Sequence, residues 1–140
     1  MNILNLTQHQ GSVEQLSQGL VEPSADNKVY IKELLTLNNV PNPETLESMC
    51  EARAELLLEL MEKAHENGIQ NFLIGGHPLL IQTLIRLNRG KFYLLGAQSN
   101  RVTVEDNKGN KISKFKHMYF YTLADGSDDI DYMELPTVIL

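Results

Sequence analysis

Apolar positions along this chain fall into blocks whose spacing changes from one block to the next. In residues 2–7, Ile3, Leu4 and Leu6 mark a first strand that Asn5 interrupts with an amide. After Gln8-His9-Gln10-Gly11, Ser12 and Gln15 form the Ser-x-x-Gln pattern of a capping box, which predicts a short helix from Val13 to Gly19. Residues 21–42 are less regular. Tyr30, Ile31, Leu34 and Leu35 fit a helix over 28–37, which Asn38-Asn39-Val40-Pro41-Asn42 breaks. Asn42 caps a long helix over 43–67, with Pro43 at its first position. Leu46, Met49, Cys50, Leu57, Leu60, Met61 and Ala64 recur there with a 3.6-residue period, and a row of glutamates suits the solvated side.

Phe72-Leu73-Ile74 is unbroken by polar residues, the pattern of a strand buried on both faces in a parallel sheet. Gly75-Gly76 ends it. Pro78 then opens a helix carrying Leu79, Leu80, Thr83, Leu84 and Leu87, and Gly90 closes that helix. A third apolar strand, Lys91 to Ala97, ends in Gln98-Ser99-Asn100-Arg101. Alternating residues 102–105 and 111–123 flank Asn107-Lys108-Gly109-Asn110 as a β-hairpin. The order β-α-(α)-α-β-α-β-β-β predicts the α/β class: a small Rossmann-like three-layer sandwich, its sheet mainly parallel with a C-terminal antiparallel hairpin. Residues 1–123 form the expected single domain and 124–140 an acidic tail.

Charge changes the picture of partners. The net charge is -6, yet the tail holds Asp125, Asp128, Asp129, Asp131 and Glu134 with no base, which leaves 13 acids against 12 bases in residues 1–123. No broad basic face is available for duplex nucleic acid, whereas a small anion needs only a local cluster of donors. Cys50 forms no internal disulfide and reads as a core residue, which suits a reducing cytoplasm. No apolar run approaches a membrane span, and MNILNLTQHQ lacks a basic signal-peptide region, so the expectation is a cytoplasmic protein with no membrane partner.

Carboxyl ends of parallel strands lie on one edge, so three loops are expected together: Thr7-Gln8-His9-Gln10, Gly75-Gly76-His77 and Ser99-Asn100-Arg101. The last strand adds Lys114, Lys116 and His117, a basic patch if it crosses beside Arg101. Such a rim suits a phosphate-bearing ligand, with backbone N–H groups at the Gly76 and Ser12 helix starts holding phosphate oxygens. Arg101 can bind phosphate bidentately, and Asn5, Gln8 and Asn100 can pair with base or ribose edges. Plainer roles stand beside these: Asn5 facing a loop, Gly75-Gly76 a tight turn, His77 a helix-start neighbour, His117 a packed residue, Arg101 a counter-charge for Glu105 or Asp106. There is no Walker loop, G-x-G-x-x-G, G-x-S-x-G or H-E-x-x-H motif. His9 and His77 lack carboxylates at metal-ligand spacing, so neither a metal nor another cofactor is required. Phosphodiester cleavage has a metal-free route, in which a ribose 2′-OH held in line attacks while a cation and a histidine assist.

Leu4-Asn5-Leu6-Thr7-Gln8-His9 with Ser12-x-Glu14-Gln15, then Ile74-Gly75-Gly76-x-Pro78, Ser99-x-Arg101 and Phe115-Lys116-His117, resembles a group of small proteins of phages and bacterial mobile elements. More distantly, the layout is similar to the small stand-alone CRISPR-associated ring nucleases with a CARF-like Rossmann fold. The resemblance covers most of residues 1–123, with His77 where the phage pattern has a small residue and Lys116 where it has Arg. It implies a dimer or higher homo-oligomer that binds a cyclic oligoadenylate and linearises it without metal, dampening an antiviral defence. Thr7, Gln8 and His9 would then line the site; Gly75, Gly76 and His77 would cradle phosphates beside Ser99 and Asn100. Arg101 and Lys116 would stabilise charge, and His9 or His117 would carry the proton. Two alternatives stay open: a non-catalytic nucleotide sponge or sensor, and a protein–protein inhibitor using the tail and helix 43–67.

Overall fold

The computed structural model describes residues 1–127. In chain order its elements are β1 (Ile3–Asn5), α1 (Val13–Ser17), β2 (Leu20–Val21), α2 (Ala25–Leu35), α3 (Pro43–Glu66), β3 (Asn71–Leu73), α4 (Pro78–Asn88), β4 (Tyr93–Glu105) and β5 (Lys111–Ala124). The strands form one sheet in the order β2-β1-β3-β4-β5. The pairings β1–β2, β1–β3 and β3–β4 are parallel, and β4–β5 is antiparallel. The α/β class and the mixed sheet thus match the expectation from the sequence.

Period-2 alternation within the strands divides the core. Leu6, Phe72, Ile74 and Leu94 pack with Ile31, Leu34, Cys50, Leu57, Met61, Leu80 and Leu84 from α2, α3 and α4. Ile3, Leu20, Leu73 and Leu95 form a smaller cluster with Ala97 and Phe120 on the other face. Strand β3 is buried from both sides, as its unbroken apolar run predicted. Local chemistry sets the helix ends. Ser12 and Gln15 close both halves of the capping box of α1, Asn42 Oδ1 accepts from the Thr45 N–H at 2.8 Å, and Arg89 (φ 52°) with Gly90 (φ 75°) turns the chain out of α4. Arg53 of α3 donates to the carbonyls of Glu33, Leu34 and Thr36, satisfying the C-terminal end of α2.

Three expectations need correction. Leu20–Val21 is a strand, too short for its two residues to show a period. Helix α2 begins at Ala25, capped by the Ser24 side chain, before its first apolar position. Most consequentially, Gln98-Ser99-Asn100-Arg101 is not a loop but the middle of β4, paired with Tyr119, His117, Lys116 and Phe115. A bulge at Gln98/Ser99 leaves Met118 without an opposite residue. Beyond it the two strands leave the sheet as a ribbon whose side chains are exposed apart from the buried His117 and the half-buried Val102 and Val104. The turn closes on Asp106, whose Oδ1 accepts from the Lys108 and Asn110 N–H groups. Strand β5 runs to Ala124, one residue into the expected tail; of that tail, residues 128–140, with the apolar Leu135–Leu140 end, lie outside the described residues.

Candidate functional site

Strand β1 is followed by β2 on one side, whereas β3 lies on the other, so the chain reverses its direction of travel across the sheet between β1 and β3. Loops leaving two such strands diverge and open a crevice at their carboxyl ends. A cleft of about 380 Å³ lies there, lined by Thr7, Gln8, His9 and Gln10 after β1, by Ile74, Gly75 and Gly76 after β3, and by Gln15 of α1 and Ile81 of α4. Gly96, Ala97, Tyr121 and Leu123 complete its wall. The Tyr121 ring lies over Gly96 so closely that a Cβ there would come within 2.5 Å of it, so a glycine at 96 is what gives the cleft an aromatic face.

The first loop is held from beneath by a buried polar network. Asn5, only 1% exposed, accepts at Oδ1 from the Thr7 N–H and hydroxyl and donates at Nδ2 to the His9 carbonyl and to Glu22. Lys28, also buried, donates to the carbonyls of Thr7 (2.9 Å) and His9 (2.8 Å) and pairs with Glu22 at 3.4 Å. The Gly11 N–H donates to Glu22 at 2.7 Å. Asn5 is therefore a loop anchor rather than a ligand contact. With every peptide trans, the Gln8 and Gln10 N–H groups point opposite the Thr7 and His9 carbonyls, away from Lys28. Among the described residues neither amide has a hydrogen-bond partner, nor do those of Gly75 and Gly76. Four unbonded main-chain donors thus border one cleft.

Burial raises the Glu22 carboxyl, but hydrogen bonds from Asn5 and Gly11 and the Lys28 charge outweigh it and hold Glu22 below its ordinary value of 4.5. A carboxyl lowered on folding stabilises the fold above its unfolded value, and that contribution is lost as pH falls through the lower folded value. Melting curves of the wild type and Glu22→Gln should therefore differ most near neutrality and converge as pH drops from about 4.5 downward. A gap that stays constant down to acid-unfolded conditions would rule out this linkage.

The other expected site residues are placed differently. His77 is itself the N-cap of α4, its Nδ1 accepting from the Leu79 N–H at 3.1 Å, and it does not line the cleft. Ser99, Asn100, Arg101 and Lys116 lie on the ribbon outside the cleft, and no lysine or arginine lines it. Arg101 sits 5.1 Å from the centre of the Phe115 ring rather than on Glu105 or Asp106. His117 is buried, with Nδ1 3.4 Å from Gln15 Nε2 and Nε2 3.1 Å from Gln18 Oε1. The capping box fixes Gln15 Oε1 on the Ser12 N–H, so Gln15 donates to Nδ1 and the Nε2–H tautomer donates to Gln18. Both ring nitrogens are engaged in docking α1 on β5, a structural role. Burial pushes the Cys50 thiol up, which with its place in the core removes it as a nucleophile.

Sequence reasoning missed Glu22, Lys28, Gly96 and Tyr121. Lys28 carried a readable signal, since it shares the stripe of Ile31 and Leu35 on α2, where a cation implies a buried partner. Among the described residues no group of three His, Cys, Asp or Glu side chains is gathered to hold a metal ion, and no helix is long and apolar enough to cross a membrane. No protein-family model, curated protein or solved structure matches this chain.

Proposed function

We propose that this chain binds a nucleotide second messenger of the cyclic oligoadenylate kind in the β1/β3 cleft and sequesters it. The fold we propose is a small Rossmann-like, CARF-like α/β domain, a reading supported by the crevice where the strand order reverses. The observation that carries the function is the set of four unbonded N–H groups at Gln8, Gln10, Gly75 and Gly76, because main-chain donors gathered at one cleft bind phosphate oxygens without any side-chain cation. Tyr121 supplies a face for a base to stack on, and the Gln8, Gln10 and Gln15 amides suit base and ribose edges. A cleft of about 380 Å³ sits at the low end of small-molecule sites, the size for one nucleotide unit rather than a whole ring. A ring would engage one cleft from each of two copies. Capturing such a signal would dampen a nucleotide-triggered antiviral defence.

Sequestration is favoured over cleavage because the expected charge-stabilising groups, and one of the two expected proton carriers, are not at the cleft. Arg101 and Lys116 stand outside the cleft, and His117 is engaged at both nitrogens. One observation keeps cleavage as the second reading: the exposed imidazole of His9 lines the cleft, where a second copy could bring cations to it. Calorimetry with cyclic tetra-adenylate in EDTA, followed by mass spectrometry of the recovered ligand, separates the outcomes. Binding with the ring intact is the expected result. Linear product would establish the ring nuclease instead, and absence of any binding heat would dismiss both.

A further inference from the structure

The β4–β5 ribbon carries a charge that the rest of the molecule does not. Among the described residues none of its cations, Arg101, Lys108, Lys111, Lys114 and Lys116, makes an ion pair, although the chain as a whole is acidic. Cross-strand register sorts its side chains onto two faces. Tyr121 pairs with Gly96, Tyr119 with Gln98, Lys116 with Asn100 and Lys114 with Val102, so these share the face on which Tyr121 meets the cleft. On β4 the Gln98 amide donates to Asn100 Oδ1 at 3.3 Å, as two side chains on one face do. Tyr119 is 55% exposed, and both lysines are exposed. The result is a track leading out of the cleft in the order aromatic, aromatic, amides, cation, cation, about 20 Å long at the rise of a β-strand.

We propose that this track binds a single-stranded oligonucleotide. The strand's first nucleotide occupies the cleft, Tyr119 stacks on the next base, and Lys116 and Lys114 meet the phosphates that follow. An aromatic surface beside unpaired cations is the combination that holds single strands with little sequence preference. Charge complementarity alone would equally suit an anionic membrane. The arrangement of the ribbon argues against that occupant: its tip, residues 106–110, is polar, and Tyr119 and Tyr121 stand at its base beside the cleft. A duplex is disfavoured by the narrowness of the cationic row.

The assignment rests on the cleft reading for the first nucleotide only, since the lysines lie outside the cleft. Fluorescence anisotropy of a labelled single-stranded adenylate dodecamer, titrated with the full chain at several salt concentrations, tests it. Replacing both lysines (Lys114→Gln with Lys116→Gln) should make the salt slope shallower by about 1.4 and weaken binding roughly 25-fold near 0.1 M salt. Tyr119→Ala should weaken it roughly 5- to 150-fold. Circular dichroism checks that these exposed substitutions leave the fold intact. The salt slope reads the lysines whatever the cleft holds, whereas cyclic tetra-adenylate on the wild-type chain reads the cleft alone. No binding of the dodecamer at low salt, an unchanged slope in the double variant, or capture by phosphatidylserine vesicles in place of the dodecamer would each overturn the proposal.

Discussion

Replacing Lys28 by alanine is expected to destabilise the fold by about 3–5 kcal/mol, the range for removing one partner of a buried ion pair. The ammonium is buried and serves three acceptors, the Thr7 and His9 carbonyls and the Glu22 carboxylate. Without it, Glu22 stays in its largely enclosed position with the Asn5 and Gly11 donors but no counter-charge, and the Thr7 carbonyl loses its donor. For a domain of this size that loss should lower the melting temperature by roughly 10 °C or more. The cleft loop should also loosen in part, because Asn5 alone then holds Thr7 and the His9 carbonyl from beneath. Thermal denaturation of Lys28→Ala beside Lys28→Met separates the charge from the packing of the stem. A loss of less than about 1 kcal/mol, the range of an exposed pair, would mean that the network does not hold the loop.

The largest effect on ligand binding should come from Gly75→Leu. Gly75 lines the cleft, its φ lies outside the left-handed region, and a Cβ there meets only Thr7 at 3.4 Å, an ordinary contact. Alanine at 75 should therefore change stability by no more than about 1 kcal/mol. A leucine side chain would project into the space taken by the ligand and weaken nucleotide binding by about 100-fold or more, roughly 2.7 kcal/mol. Gly76 makes the contrast. Its φ is +109°, so Gly76→Ala should cost roughly 1–2 kcal/mol of stability. Calorimetry and melting curves on these three variants check both halves: leucine at 75 should damage binding more than folding, and alanine at 76 the reverse. Full-strength binding by Gly75→Leu would move the ligand elsewhere.

Features written into a few adjacent residues were legible in the sequence. Ser12 with Gln15, Asn42 before Pro43, and Phe72-Leu73-Ile74 before Gly75-Gly76 each carry local chemistry that tertiary context did not override. The strand-end loops at Thr7–Gln10 and Gly75–Gly76 followed from that, which is why half of the candidate site was visible early. Whatever depended on pairing across the chain was not visible. Nothing local to Glu22 says that it meets Lys28 and Asn5, and Tyr121 becomes a cleft wall only through its register with Gly96. Gln98–Arg101 read as a loop because polar residues in a strand look like a turn until both faces of that strand are known to be wet. That misreading displaced Arg101, Asn100 and Ser99 from the cleft to the ribbon.

In the proposed complex the four unbonded amides around the β1/β3 cleft receive a nucleotide phosphate. An amide-resolved NMR titration of the isotopically labelled chain with adenosine monophosphate measures this directly. The largest, saturable shifts are expected on the N–H groups of Gln8, Gln10, Gly75 and Gly76. Shifts confined to Lys114, Lys116 and their neighbours, or none at all at millimolar ligand, would contradict it.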